Sequence, residues 1–199
     1  MMHKTIGFFG GTFDPIHLGH LNLAIQLSEI HHLHEVLFCP AYCSPFKKEN
    51  QPHVNGEHRL RMCQLALEDI PRFRVISYEV ERADPSYTID TLRALKQEMG
   101  KEIRFRLLLS EEAASKFDQW KEFQELIRIA PPLIGTRSPI KLHGKLAKIL
   151  RSSFTPTQIF EISSTNVRAR LKKGLCCGHL LPAKVLEYIQ QNQLYGYPS

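Results

Sequence analysis

Two imidazoles three residues apart, His17 and His20, follow a glycine pair in the segment Gly7-Phe8-Phe9-Gly10-Gly11-Thr12-Phe13-Asp14-Pro15-Ile16-His17-Leu18-Gly19-His20. A short apolar run precedes the glycines and a helical pattern follows them. Glycines at a strand-to-helix junction let the backbone approach a ligand and take dihedrals closed to other residues. The helix start offers N–H groups and a partial positive charge that suit phosphate. A spacing of three puts both rings on one side of the first helical turn, where they can donate to phosphate oxygens. Phosphoryl and nucleotidyl transfer need alignment and donors placed where charge accumulates, with little covalent help. Gly19 would leave room for an adenine or ribose against the helix. Taken alone, the His pair equally suits a surface position or half a metal site. The segment lacks the Gly-Lys-Ser/Thr ending of a P-loop, and it is not a GxGxxG dinucleotide pattern.

A second cluster, Ile162-Ser163-Ser164-Thr165-Asn166-Val167-Arg168, stands near the other end of the chain. Three hydroxyls precede a helical pattern, and Arg168 follows about one turn in. Ser and Thr there can cap the helix. They can also hold phosphate oxygens, while Arg168 presents a fixed fork of donors. An ordinary cap with a solvated arginine is the alternative.

Elements that could position these groups alternate along the chain. Short apolar runs predict strands over 5–9, 35–39, 74–77, 103–109 and 157–162. Helical periodicity predicts helices over 18–30, 58–67 and 164–173, the last ended by Gly174 as the residue after the cap. Ile89, Leu92, Leu95 and Met99 mark another helix, with Ser86 or Thr88 as its cap. Pro182 opens a final helix with Val185, Leu186 and Ile189 on one face. Pro131-Pro132 punctuates the later part. Strand then helix, repeated, implies βαβ units around a mainly parallel sheet with helices on both faces. A length of 199 residues suits one domain, 1–199, with a small C-terminal helical part over about 163–199.

Composition narrows the class further. Apolar residues make up 43% and charged residues 23%, ordinary globular usage that argues against disorder. A net charge of +6 favours anionic partners without choosing among them. The basic residues are scattered, so no nucleic-acid arm is expected. Five cysteines, odd in number and without a CxxC pair, argue against a disulfide framework or a closed zinc site and fit a reducing cytoplasm. No signal peptide is expected, and no apolar run approaches the ~20 residues needed to cross a bilayer.

The stretch Gly-Gly-Thr-Phe-Asp-Pro-Ile-His-Leu-Gly-His resembles the signature of the nucleotidyltransferase superfamily with the HIGH-type motif, and is most similar to that of bacterial nicotinate-nucleotide adenylyltransferases. Ile162 to Arg168 resembles that family's Ile-Ser-Ser-Thr-x-x-Arg element, and Leu180-Leu181-Pro182 through Leu194-Tyr195 its C-terminal pattern. The resemblance runs from residue 5 to residue 195. It implies a Rossmann-like, doubly wound α/β fold. It also implies transfer of the adenylyl group of ATP to nicotinate mononucleotide, giving deamido-NAD and pyrophosphate, a late step in NAD synthesis. His17, His20 and Arg168 would be catalytic. Gly10, Gly11, Thr12, Phe13, Gly19, Ser163, Ser164 and Thr165 would bind ATP. Pro85 to Leu92 resembles the segment beside the pyridine ring, with N–H groups near Thr88 receiving the carboxylate. Trp120 would lie against the pyridine, and Lys47 would reach the mononucleotide phosphate.

The chain also departs from that pattern. Ser110-Glu111-Glu112 replaces the usual Gly-x-Asp, so Ser110 and Glu112 would line the ribose with less room. Phe46 replaces a histidine, and Arg137-Ser138-Pro139 replaces Arg-Pro-Gly. Mg²⁺ is expected on the phosphates, with no protein carboxylate cage. The expected partners are small molecules, with neither nucleic acid nor membrane, in the cytoplasm; a homo-oligomer is left open. Rival readings are a nicotinamide mononucleotide or phosphopantetheine acceptor, a non-catalytic nucleotide- or RNA-binding relative, and an aminoacyl-tRNA synthetase.

Overall fold

The computed structural model describes residues 3–43, 51–82, 84–136 and 144–198. Strand and helix alternate through it: β1 (Lys4–Gly11), α1 (Leu18–Ile30), β2 (Glu35–Pro40), α2 (Gly56–Leu67), β3 (Phe73–Val75), α3 (Tyr78–Arg82), α4 (Thr88–Met99), β4 (Ile103–Leu109), α5 (Glu111–Ser115), α6 (Phe123–Ile129), β5 (Pro132–Thr136), α7 (Gly144–Leu150), β6 (Phe154–Pro156), α8 (Ser164–Lys172) and α9 (Ala183–Gln191). The strands form one sheet in the order β3-β2-β1-β4-β5-β6, and β1·β4, β4·β5 and β5·β6 pair in parallel. The order reverses beside β1, which is the doubly wound α/β arrangement. The chain divides into two compact units, and β1, α1 and β2 each run from one into the other.

The first unit comprises Met1–Gly10, Asn22–Leu37 and Tyr87–Ile159. In β1 Ile6, Gly7, Phe8 and Phe9 are all buried, and in β4 so are Leu107, Leu108 and Leu109. Such continuous apolar runs belong to parallel strands covered on both faces. Phe8 pairs with Leu107, so Gly10 and Ser110 leave the same ends of neighbouring strands. Gly135 lies where a Cβ would come within 2.3 Å of the Leu23 side chain, and this close approach lets α1 pack on β5.

Three expectations need correction here. Pro131-Pro132 is not merely punctuation, because Pro132 begins β5; a proline is tolerated as the first residue of a strand. The last strand is Phe154–Pro156, not 157–162. Thr157 N–H still donates to Thr136 O at 2.8 Å, but the next peptide is captured by α1 side chains. Gln158 N–H donates to Gln26 Oε1, and Gln158 O accepts from Gln26 Nε2, each at 2.8 Å. Finally, α4 starts after Tyr87 without a side-chain cap bond.

The second unit comprises Gly11–Leu21, Phe38–Ser86 and Phe160–Ser199. Here the Ser86 hydroxyl accepts from Tyr42 N–H at 3.0 Å, which is why it caps nothing. The third strand is Phe73–Val75, one residue earlier than expected and shorter, since α3 begins at Tyr78. Helix α2 is capped by Asn55, whose side chain accepts from His58 N–H at 2.9 Å. It buries Arg59, Met62, Cys63, Ala66 and Leu67, and α9 packs against it. Ser163 caps α8 by accepting from Asn166 N–H at 3.2 Å. Gly174, at φ 63, follows the end of that helix in the left-handed role its sequence position suggests.

Candidate active site

The two histidines lie in the second unit with their rings stacked, centroids 3.6 Å apart and planes at 21°. His17 is buried. Its main-chain N–H donates to His20 Nδ1 at 3.2 Å. A backbone N–H needs an unprotonated acceptor, so the neutral His20 ring carries its proton on Nε2. Burial lowers the pKa of His17 to about 4, and it lowers that of His20 well below the usual imidazole value, with His17 adding to the effect. Both rings are therefore neutral at pH 7. His17 Nδ1 is buried and has no hydrogen-bond partner among the described residues.

Several local features hold this pair. Phe13, buried at φ 46, sets its ring edge-on to His20 at 5.1 Å and packs on Phe38 at 5.6 Å. A Cβ on Gly19 would sit 3.1 Å from the His17 ring and 3.2 Å from Phe160 O. The glycine thus makes room for His17 in addition to any ligand. The helix start holds fewer open donors than its sequence suggests. His17 N–H is spent on His20, Leu18 N–H on Leu180 O at 2.9 Å, and His20 N–H on His17 O at 2.9 Å.

The second motif meets the first within the same unit. Arg168 Nη1 donates to Asp14 O at 2.6 Å, and Nη2 donates to Thr165 Oγ1 at 3.2 Å. Ser164 Oγ donates to Pro15 O at 3.0 Å. Segments 149 to 154 residues apart in sequence are joined directly, beside His17 and His20. With Ser163 acting as the cap and the Ser164 proton given to Pro15, the two serine side chains carry structural bonds. Two of the five Arg168 donors are used by the bonds above.

Sequence reasoning gave no role to four contributors, Arg59, Asp14, His53 and Tyr195. Arg59, 1% exposed, donates from Nη1 to Thr12 O at 2.8 Å and to Ala41 O, and from Nη2 to Tyr42 O at 2.8 Å. It thereby pins the carbonyl of Thr12 just past the glycine pair. Asp14, also buried, accepts from Tyr195 Oη at 2.8 Å on Oδ1 and from His53 N–H at 2.8 Å on Oδ2. The His53 ring lies 3.2 Å from the same oxygen, and Arg168 Nη1 lies 4.0 Å from it. Arg59 carried a signal: it shares the helical face of Met62, Cys63 and Ala66, an apolar stripe where a charge must be paired. His53 carried none, and Tyr195 stood only within the C-terminal stretch that resembles the family pattern, with no role attached to it.

Other predicted site residues belong to the first unit. Ser110 is exposed and caps α5, its Oγ accepting from Ala113 N–H at 3.2 Å. Glu112 is exposed on the same short helix. Thr88, half-buried, opens α4. Lys121 Nζ sits 2.8 Å from Asp90 Oδ2 and 4.6 Å from the Tyr87 ring centroid, flanking that helix start. Trp120 is half-buried with its ring 5.3 Å from Phe117. Lys47, Phe46 and the 137–139 segment lie outside the described residues. Among the described residues no group of three or more His, Cys, Asp or Glu side chains could hold a metal ion, and no helix is long and apolar enough to cross a membrane.

Comparison with known proteins places this geometry. The cytidylyltransferase-like family model matches residues 8–170. The nicotinate-nucleotide adenylyltransferase of Bacillus subtilis (strain 168) is 35% identical over 192 residues, covering 96% of this chain and 98% of that protein. A "probable nicotinate-nucleotide adenylyltransferase" of Hydrogenovibrio crunogenus is 34% identical, covering 97% and 98%. In structure, the Plasmodium falciparum nicotinic acid mononucleotide adenylyltransferase complexed with NaAD matches with a TM-score of 0.76 at 21% identity, over 98% of this chain and 99% of that one. This last match establishes the fold.

Proposed function

The chain belongs to the cytidylyltransferase-like family, and from that premise we propose that it transfers the adenylyl group of ATP to nicotinate mononucleotide, releasing pyrophosphate and giving deamido-NAD. The observation that carries this reading is the direct bonding of Ser164 and Arg168 to the carbonyls of Pro15 and Asp14, next to the His17–His20 pair. Full-length relatives with the nicotinate-nucleotide adenylyltransferase name support the choice of acceptor.

In this reading a phosphate oxygen of the mononucleotide attacks the α-phosphorus of ATP in line. The new P–O bond forms as the bond to the β-phosphate breaks, and pyrophosphate leaves with the electron pair. No covalent enzyme intermediate is needed. His20 donates from Nε2 to the α-phosphate, where charge is greatest in the transition state. His17 fixes the His20 tautomer through its main-chain N–H and lends a second ring. Arg168, with Thr165 and the first-turn N–H groups of α8, grips the departing phosphates. Gly10, Gly11 and Thr12 let the ATP phosphates approach the backbone. Ser110 and Glu112 are assigned to the ribose, Thr88 and Trp120 to the nicotinate ring, and Lys47 to the acceptor phosphate.

Mg²⁺ fits this donor set only as an ion borne by the phosphates and water, because Asp14 is already committed to Tyr195 and His53. When bound, it would neutralise phosphate charge. Small anionic substrates and five free cysteines fit a cytoplasmic setting.

The test is incubation with ATP, Mg²⁺ and equal nicotinate and nicotinamide mononucleotides, followed by chromatography of the dinucleotides. Deamido-NAD should dominate. Predominant NAD would overturn the assigned acceptor, and no dinucleotide at all would overturn the reaction.

A further inference from the structure

The C-terminal turn Leu194–Gly196 reaches back to the first motif through the Tyr195 hydroxyl. Tyr195 Oη donates to Asp14 Oδ1 at 2.8 Å across 181 residues of sequence. Tyr195 takes φ 59, a left-handed backbone that side-chain-bearing residues avoid, and Gly196 follows at φ 68. Burial and the adjacent Asp14 carboxylate both raise the Tyr195 pKa, so the hydroxyl keeps its proton and acts as a donor. The other Asp14 oxygen is held by His53 N–H at 2.8 Å. With both oxygens fixed, the carboxylate stands 4.0 Å from Arg168 Nη1 while the carbonyl of the same residue receives that nitrogen at 2.6 Å.

We infer that Tyr195 is a positioning residue for nucleotide binding: by locking Asp14, it aims the Arg168 guanidinium at the ATP phosphates. The inference rests on the assignment of Arg168 to those phosphates. Tyr195 does not touch ATP in this scheme; it acts through Asp14, and Asp14 acts on Arg168 by charge and by its main-chain carbonyl. Losing the Tyr195 hydroxyl frees Oδ1 in a buried setting and leaves the carboxylate held only on Oδ2, by His53, so it can rotate and change the 4.0 Å separation of Oδ2 from Arg168 Nη1. The guanidinium then loses its fixed aim at the phosphates.

The experiment is a double-mutant cycle of Tyr195→Phe and Arg168→Gln in the full-length protein, with steady-state kinetics for both substrates and thermal melts to verify folding. Tyr195→Phe alone should lower kcat/KM for ATP about tenfold, the scale of a hydrogen bond to a charged group. The loss should fall mainly on KM for ATP and leave KM for the mononucleotide within twofold. In the Arg168→Gln background the same change should alter kcat/KM by less than twofold, because the group it aims is gone. Asp14→Asn, which keeps the shape, should repeat the ATP defect. Equal tenfold losses with and without Arg168 would overturn the inference, as would an unchanged KM for ATP in Tyr195→Phe. Wild-type kinetics in Arg168→Gln would instead refute the Arg168 assignment, and the positioning role with it.

Discussion

Acid should destabilise this protein through His17 in a window fixed by burial. His17 is 5% exposed, and burial lowers its pKa from 6.5 to about 4. Between those values the unfolded chain binds a proton there that the folded chain refuses. Stability therefore rises with pH through the window and is flat above it. A fall from 6.5 to about 4 corresponds to about 3 kcal/mol, fully lost below pH 4. At pH 5 the linkage relation gives a loss of about 2 kcal/mol relative to pH 8. The measurement is urea unfolding followed by circular dichroism from pH 4.5 to 8, for the wild type and for His17→Asn, whose side chain does not titrate. The variant should start less stable at pH 8, since a packed ring is gone, yet lose about 2 kcal/mol less on going to pH 5. Parallel pH profiles for the two proteins would refute the reasoning, because another group would then carry the acid sensitivity.

Three further outcomes follow from the same geometry. His20→Ala should lower kcat by roughly 10²–10³, the loss of one transition-state donor, with KM for ATP little changed; an unchanged kcat rules out the assigned role. Arg59→Met should cost roughly 1–3 kcal/mol for each carbonyl left dry, among them those of Thr12, Ala41 and Tyr42; a melting temperature within a degree of wild type contradicts the clamp. Ser110→Gly should cost only a few tenths of a kcal/mol as a cap change, while relieving the backbone near the ribose and lowering KM for ATP. An unchanged KM would mean that the serine does not crowd the nucleotide.

What could be read from the chain was what lies close in sequence. Gly10 through His20 is one contiguous piece, so its turn, its helix and the facing of its two imidazoles follow from local rules. The bond between Arg168 and Asp14 spans 154 residues, and only a motif at each end hinted at it. The bonds of Tyr195 and His53 to Asp14 could not be found that way, although Tyr195 stood in the stretch that resembles the family's C-terminal pattern. A tyrosine near the C-terminus and a histidine in a loop look alike whether or not a buried carboxylate needs them. Arg59 was legible in principle, because a charge on an apolar stripe demands partners, but those partners are main-chain carbonyls with no sequence signature. Strand β5 was hidden by Pro131-Pro132, read as a break when a proline can open a strand. Strand β6 was misplaced because Thr157 to Ile162 has a strand-like composition, while Asn22 and Gln26 on α1 bond the Gln158 peptide and end the ladder.

The neutral state of His17 and His20 explains how the stacked pair would suit the polyphosphate site proposed above. Two imidazolium rings stacked at 3.6 Å would repel each other strongly in a medium of low dielectric. Kept neutral, they can be preorganised side by side before any ligand arrives. The positive charge is carried instead by Arg168 and Arg59, each permanently charged, and Asp14 balances part of it. The His17 main-chain N–H then decides which His20 nitrogen bears the proton, so the donor's direction is set by the turn itself and needs no reorganisation during the reaction. A lysine at position 20 would supply a donor too. It would bring a full charge into the same burial and leave the His17 N–H without its acceptor, losing the fixed direction that the histidine provides. In the proposed reaction the donor is therefore a neutral ring fixed in direction by the main chain, and Arg168 supplies the cationic charge.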